Sequence, residues 1–149
     1  MFLSGMLAWG RTRVKTNSLS PLLRGAQWLP AAAWMSGIFY LSQQSAPLGA
    51  SGSAAWSAVA HLGLYTGLAL LLFWAVARSA GPRTPGWALA AVAFALAVLY
   101  GVGDELHQTF VAGRTASEAD LGLDATGAAM GITLALLRDR LLTARHERR

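Results

Sequence analysis

Four apolar stretches, separated by short polar breaks, mark the chain at 26–42, 57–77, 86–103 and 119–137. The second, "SAVAHLGLYTGLALLLFWAVA", and the third, "GWALAAVAFALAVLYGVG", contain no Asp, Glu, Lys or Arg. The first contains Pro30 close to its start, where a proline costs no intrahelical hydrogen bond. The fourth, "ADLGLDATGAAMGITLALL", is the least apolar, because Asp120 and Asp124 fall in its first turns. About 20 helical residues cross the apolar core of a bilayer. The pattern therefore predicts an all-α, integral membrane, four-helix transmembrane bundle over 26–137. Basic tails at 1–25 and 138–149 flank it. No 20–50-residue repeat is evident.

Composition agrees with this reading. Of 149 residues, 54% are hydrophobic and 13% charged, against about 25% charged in soluble domains. Cysteine is absent, which excludes disulfides, thiolate nucleophiles and Cys-ligated metals. The net charge of +5 does not point to nucleic acid, because the bases sit at the ends and in short loops rather than in a stripe among aromatics. Four of the twelve basic residues precede the first segment and none lies between the first and second. Arg78 and Arg83 lie between the second and third, Arg114 between the third and fourth, and five follow the fourth. By the positive-inside rule both termini are cytoplasmic and the loops 43–56 and 104–118 face outward. Trp28, Trp74 and Trp87 then fall near the inner interface, with Trp56 near the outer. The N-terminal apolar run precedes Arg11, Arg13 and Lys15, the reverse of a secretory signal, so 1–25 reads as a tail or an interfacial helix.

Acid is concentrated in one place. Of seven Asp and Glu, five (Asp104, Glu105, Glu118, Asp120 and Asp124) lie within residues 100–127, with His107, Gln108 and Arg114 among them. If the third helix continues through Gln108, then Tyr100, Asp104, His107 and Gln108 share roughly a 100° arc, with Glu105 about 60° beyond. Asp120, Asp124, Gly127 and Gly131 form one stripe on the fourth helix, ending in the close-packing step "GAAMG". The second helix adds His61 and Tyr65 near its outer end, with a second small-residue step at Gly63 and Gly67. The first helix ends in "LSQQS", which offers Ser42 and Gln44. All four helices thus bring polar groups to the outer end, and a polar cleft opening outward is expected there.

These residues resemble the VanZ-like family of small bacterial membrane proteins, named for a member associated with teicoplanin resistance. The family pattern is met by Asp104, Glu105, Gln108, Phe110, Arg114, Asp120, Gly127 and Gly131, and "FYLSQQSAP" looks like the end of the family's first helix and "HLGLYTGLALLL" like the His and aromatic segment of its second. Asp124 stands where the family commonly has Asn, and Ser57 and Ala58 stand where an Asp-Lys pair often precedes the His. The resemblance covers 34–137 and implies a bacterial cytoplasmic-membrane protein, without defining a reaction.

Asp104, Glu105, His107, Gln108, Arg114 and Asp120 are the candidate catalytic residues, and Ser42, Gln44, His61, Tyr65 and Asp124 the candidate substrate-binding ones. Asp104 and Glu105 suit general acid–base work, or else a helix end paired with Arg114. Arg114 suits an anion clamp or a structural counter-ion. His61 and His107 with carboxylates would suit zinc or manganese, but no metal-ligand spacing such as HExxH supports this, so no metal or cofactor is assigned. Ser117 precedes Asp120 by three and Thr115 precedes Glu118 by three, as in a capping box. Three functional classes follow. One is an enzyme acting on an envelope lipid or a lipid-linked cell-wall intermediate. Another is a binder of such a ligand or of a glycopeptide antibiotic. The third is a transport path, disfavoured because the inner halves of the helices are almost without polar residues. The bilayer is the expected partner; the oligomeric state is not set by the sequence.

Overall fold

The computed structural model describes residues 25–44 and 53–147. The N-terminal basic tail, apart from Gly25, and most of the loop after Gln44 lie outside these residues. All regular structure described is helical. A 3-10 turn at Ala26–Trp28 leads into α1 (Leu29–Ser42), followed by α2 (Ala54–Ser79), α3 (Gly86–Gln108) and α4 (Glu118–Glu147).

The helix starts follow from local chemistry. Pro30 lies in the first turn of α1. Ser53 caps α2, its side chain accepting the Trp56 N–H at 3.3 Å. Pro85 immediately precedes α3. Ser117 caps α4, with its Oγ 3.2 Å from the Asp120 N–H, as the sequence spacing anticipates. The third helix does continue through Gln108, and the chain then turns at Gly113, whose φ of 78° favours glycine.

Three helices are long and apolar enough to cross a membrane: Ala54–Ser79, Gly86–Gln108 and Glu118–Arg145. The first segment is shorter than a full span. Its 14 residues rise about 21 Å at 1.5 Å each, against an apolar core of about 30 Å. Proline fixes where it begins, and the polar run after Leu41 ends it. The fourth helix overshoots its expected end at 137 and continues to Glu147. Its basic last turns are good helix formers that need no apolar partner.

The core is built on small residues. α2 lies at its centre, packed most extensively against α4 and next against α3. Leu68, Ala69, Leu72 and Phe73 of α2 meet Ala90, Ala93 and Ala97 of α3 and Ala128 and Ile132 of α4. A Cβ at Gly127 would lie 2.6 Å from the Leu62 carbonyl oxygen, and one at Gly131 2.5 Å from that of Thr66. The glycine step therefore sets how closely α2 and α4 approach, and Thr66 Oγ1 donates to the Gly127 carbonyl at 3.0 Å. The second expected step is only half used. Gly67 sits under the Trp34 ring, whereas Gly63 has open space.

α1 runs antiparallel to α2. At one end Gln27 Nε2 and Trp28 Nε1 donate to Ser79 Oγ at 3.0 and 3.1 Å. In mid-helix Trp34 Nε1 donates to the Leu64 carbonyl and Tyr100 Oη to the Met35 carbonyl, at 2.9 and 2.6 Å. At the other end Ser42 reaches Asp104. The acids thus lie one α1 length from the Trp28 end, while α2 continues from His61 up to Ala54, about 10 Å further.

Candidate functional site

Asp104, Glu105 and Gln108 occupy one face of α3, with exposed Leu106 between them turned the other way. They are 6, 5 and 2% exposed, and Asp124 on α4 is 1% exposed. Such burial is costly for carboxylates unless their oxygens are satisfied. The hydrogen bonds account for it.

Gln108 is the hub. Arg114 donates Nε, at 3.0 Å, and Nη2 to Gln108 Oε1. With its oxygen so engaged, the amide nitrogen faces the acids, 3.3 Å from Asp104 Oδ2 and 3.1 Å from Glu105 Oε1. The other Glu105 oxygen accepts the backbone N–H of Ser117 at 2.8 Å. The other Asp104 oxygen lies 2.7 Å from Ser42 Oγ, which is also 2.9 Å from the Phe39 carbonyl and has one proton for both. Four segments thus close on two carboxylates: α1, α3, the loop after it and the cap of α4.

A second pair joins α2 to α4. His61 Nδ1 lies 2.8 Å from Asp124 Oδ1, and an ionised Asp124 would draw the ring proton to that nitrogen. One turn along, Tyr65 is 1% exposed and its hydroxyl has no hydrogen-bond partner among the described residues. Gly101 of α3 permits this arrangement. A Cβ there would lie 3.1 Å from Tyr65 Cε1, 3.3 Å from Asp124 Oδ2 and 3.4 Å from Tyr65 Oη. The two sets meet at Glu105: donor atoms of His61, Glu105 and Asp124 all lie within 4.8 Å of one another. These three residues could hold a metal ion.

Of the sequence candidates, Ser42, His61, Tyr65, Asp104, Glu105, Gln108, Arg114 and Asp124 come together. Arg114 bonds to Gln108 and not directly to an acid, the latter being one of the two alternatives the sequence leaves open. Among the described residues no Lys or Arg nitrogen lies within 4 Å of these carboxylates, and His61–Asp124 is the one pair at that distance. The turn at Gly113 brings the guanidinium back over the end of α3, where Gln108 takes it, and Arg114 reaches the acids only through that amide. His107 stacks near Phe39, with ring centroids 4.5 Å apart, and its buried Nε2 has no partner among the described residues. Asp120 and Gln44 are half-buried, and their side chains make no hydrogen bond among the described residues.

The acids are packed rather than laid open. A cavity of about 350 Å³ lies at the other end of the bundle, beside Pro30, Trp74, Arg138 and Asp139. A second, of about 270 Å³, lies between α1 and α3 at Met35, Phe39 and Tyr100, one turn from Asp104. Sequence reasoning missed Gly101 and the Ser117 amide. Gly101 was legible as a small residue one turn before Asp104 and Glu105 on the same face. The Ser117 N–H carried no signal, since every non-proline residue has one.

A family model described as VanZ/LLP1 matches residues 6–139. No curated protein and no solved structure matches the chain.

Proposed function

The chain belongs to the VanZ/LLP1 family, and from that premise we propose that it is a multi-pass protein of the bacterial cytoplasmic membrane. Its acid-rich end faces outward and performs acid–base hydrolysis or group transfer on an envelope lipid or a lipid-linked cell-wall intermediate. One observation carries this reading. Three carboxylates and an amide are buried together in a chain otherwise almost free of intramembrane charge, where apolar packing would hold the helices at lower cost. Both termini are cytoplasmic in this reading, and α1 completes the fourth pass together with the turn before it. The ligand enters between α1 and α3, along the cavity at Phe39 and Tyr100. His61, Glu105 and Asp124 face the reacting group; Arg114 acts through Gln108 to hold Asp104 and Glu105 in place.

A second reading is a non-catalytic binder that gives tolerance to a teicoplanin-type glycopeptide. It is favoured by the tight engagement of Asp104 and Glu105, whose oxygens already accept hydrogen bonds. Mass spectrometry of envelope lipids and lipid-linked precursors, from cells expressing the native protein or Glu105→Gln at matched membrane levels, tests the two. Enzyme activity requires a species that changes with the native protein alone. Unchanged lipids in both strains, with glycopeptide tolerance kept by the Gln variant, would establish the binder.

A further inference from the structure

Among the described residues, Asp104, Glu105 and Asp124 are buried with no Lys or Arg nitrogen within 4 Å, so their ionised forms lack a balancing charge. One imidazole cannot supply it. We propose that His61, Glu105 and Asp124 form a binding site for one divalent transition-metal ion of the zinc or manganese class. The three ligands come from α2, α3 and α4, so the ion would tie together the three long helices.

The geometry suits a small cation. Three donors spaced evenly around such an ion are at most roughly 3.8 Å apart, given bonds of about 2.0–2.2 Å. The three donors lie within 4.8 Å of one another, so closure needs side-chain shifts of up to about an ångström. One imidazole with two carboxylates is a mixed nitrogen–oxygen donor set that fits zinc or manganese better than the all-oxygen preference of calcium. Binding releases the proton that His61 Nδ1 shares with Asp124.

The surroundings are those of a ligand set held in place from behind. Glu105 is oriented by the Ser117 N–H and by Gln108, which is itself held by Arg114. Tyr65 supplies an independent indication. Its hydroxyl is buried without a partner among the described residues and converges with Asp124 Oδ2 on the same face of Gly101. A water or anion bound to the metal would give that hydroxyl the partner it lacks. Glycine at 101 keeps this space clear.

The site lies within the candidate functional end and rests on the proposed function only for its use. A divalent ion would let an acid-lined site receive a phosphate group that the carboxylates alone would repel.

The test uses the full chain purified in detergent, stripped with chelator and titrated with Mn²⁺ by electron paramagnetic resonance. One ion per chain is expected, with nuclear coupling to an imidazole nitrogen that survives His107→Gln and His146→Gln. Asp124→Asn should weaken binding at least tenfold while Asp139→Asn, at the other end of the helices, leaves it unchanged. Absence of a stoichiometric ion in the folded native protein, or a bound ion without imidazole coupling, overturns the proposal even if the Asp124 variant fails to fold. So does a folded Asp124→Asn variant that binds as tightly as the native chain. The lipid comparison is a separate readout: bound Mn²⁺ with unchanged lipids removes the enzymatic reading and leaves the metal site, and the reverse result removes only the metal.

Discussion

Gln108 links the acids to the loop after α3, because its amide supplies an acceptor to Arg114 and donors to two acids at once. Gln108→Leu keeps the volume but leaves a guanidinium and two buried carboxylates short of partners. It is expected to lower stability by about 1–3 kcal/mol, read as a lower melting temperature in detergent. The glycines divide in the same way. Gly127→Ala or Gly131→Ala places a methyl group against an α2 carbonyl, and a loss of about 1–3 kcal/mol is expected. Gly63→Ala meets nothing and should be neutral or stabilise by up to about 1 kcal/mol. Thermal unfolding of these variants side by side distinguishes contact from composition, since all three are the same substitution.

At the level of elements, α2, α3 and α4 hold one another through small-residue faces, whereas α1 is attached at separate points. Trp34 over Gly67, Tyr100 to the Met35 carbonyl and Ser42 to Asp104 are the attachments nearest the acids. Tyr100→Phe removes one of them without changing the ring. A cost of about 1 kcal/mol is expected, with faster hydrogen exchange in α1 while exchange in α2 and α4 stays as in the native chain. Equal acceleration in all helices would mean that α1 is part of the same cooperative unit and does not open separately for a ligand.

For the whole molecule, the orientation in the membrane is the statement most open to direct test. The chain has no cysteine, so a single introduced one reports alone. Thr115→Cys, in the exposed loop between α3 and α4, should react with a membrane-impermeant thiol reagent on intact cells. Ser18→Cys, in the N-terminal tail, should react only after lysis. Labelling of both on intact cells would mean that α1 does not cross, as its 14 residues alone would allow, and would leave three passes with the termini on opposite sides.

The sequence by itself determined the helices, because hydropathy and caps act locally: Ser117 before Glu118, Pro85 before Gly86, and the uncharged runs of α2 and α3 can each be read without knowing a neighbour. It also determined that Asp104, Glu105, Gln108 and Asp124 share an end of the bundle, since helical spacing places them on faces that apolar surroundings force inward. The tertiary structure decided the pairings. Whether Arg114 meets a carboxylate or an amide depends on the turn at Gly113 and on which oxygens other helices have already occupied. That His61 faces Asp124 and lies near Glu105, rather than near His107, depends on how far Gly101, Gly127 and Gly131 let three backbones close. A contact between residues sixty positions apart is set by helix rotation and separation, and neither quantity is written in the period of a single helix.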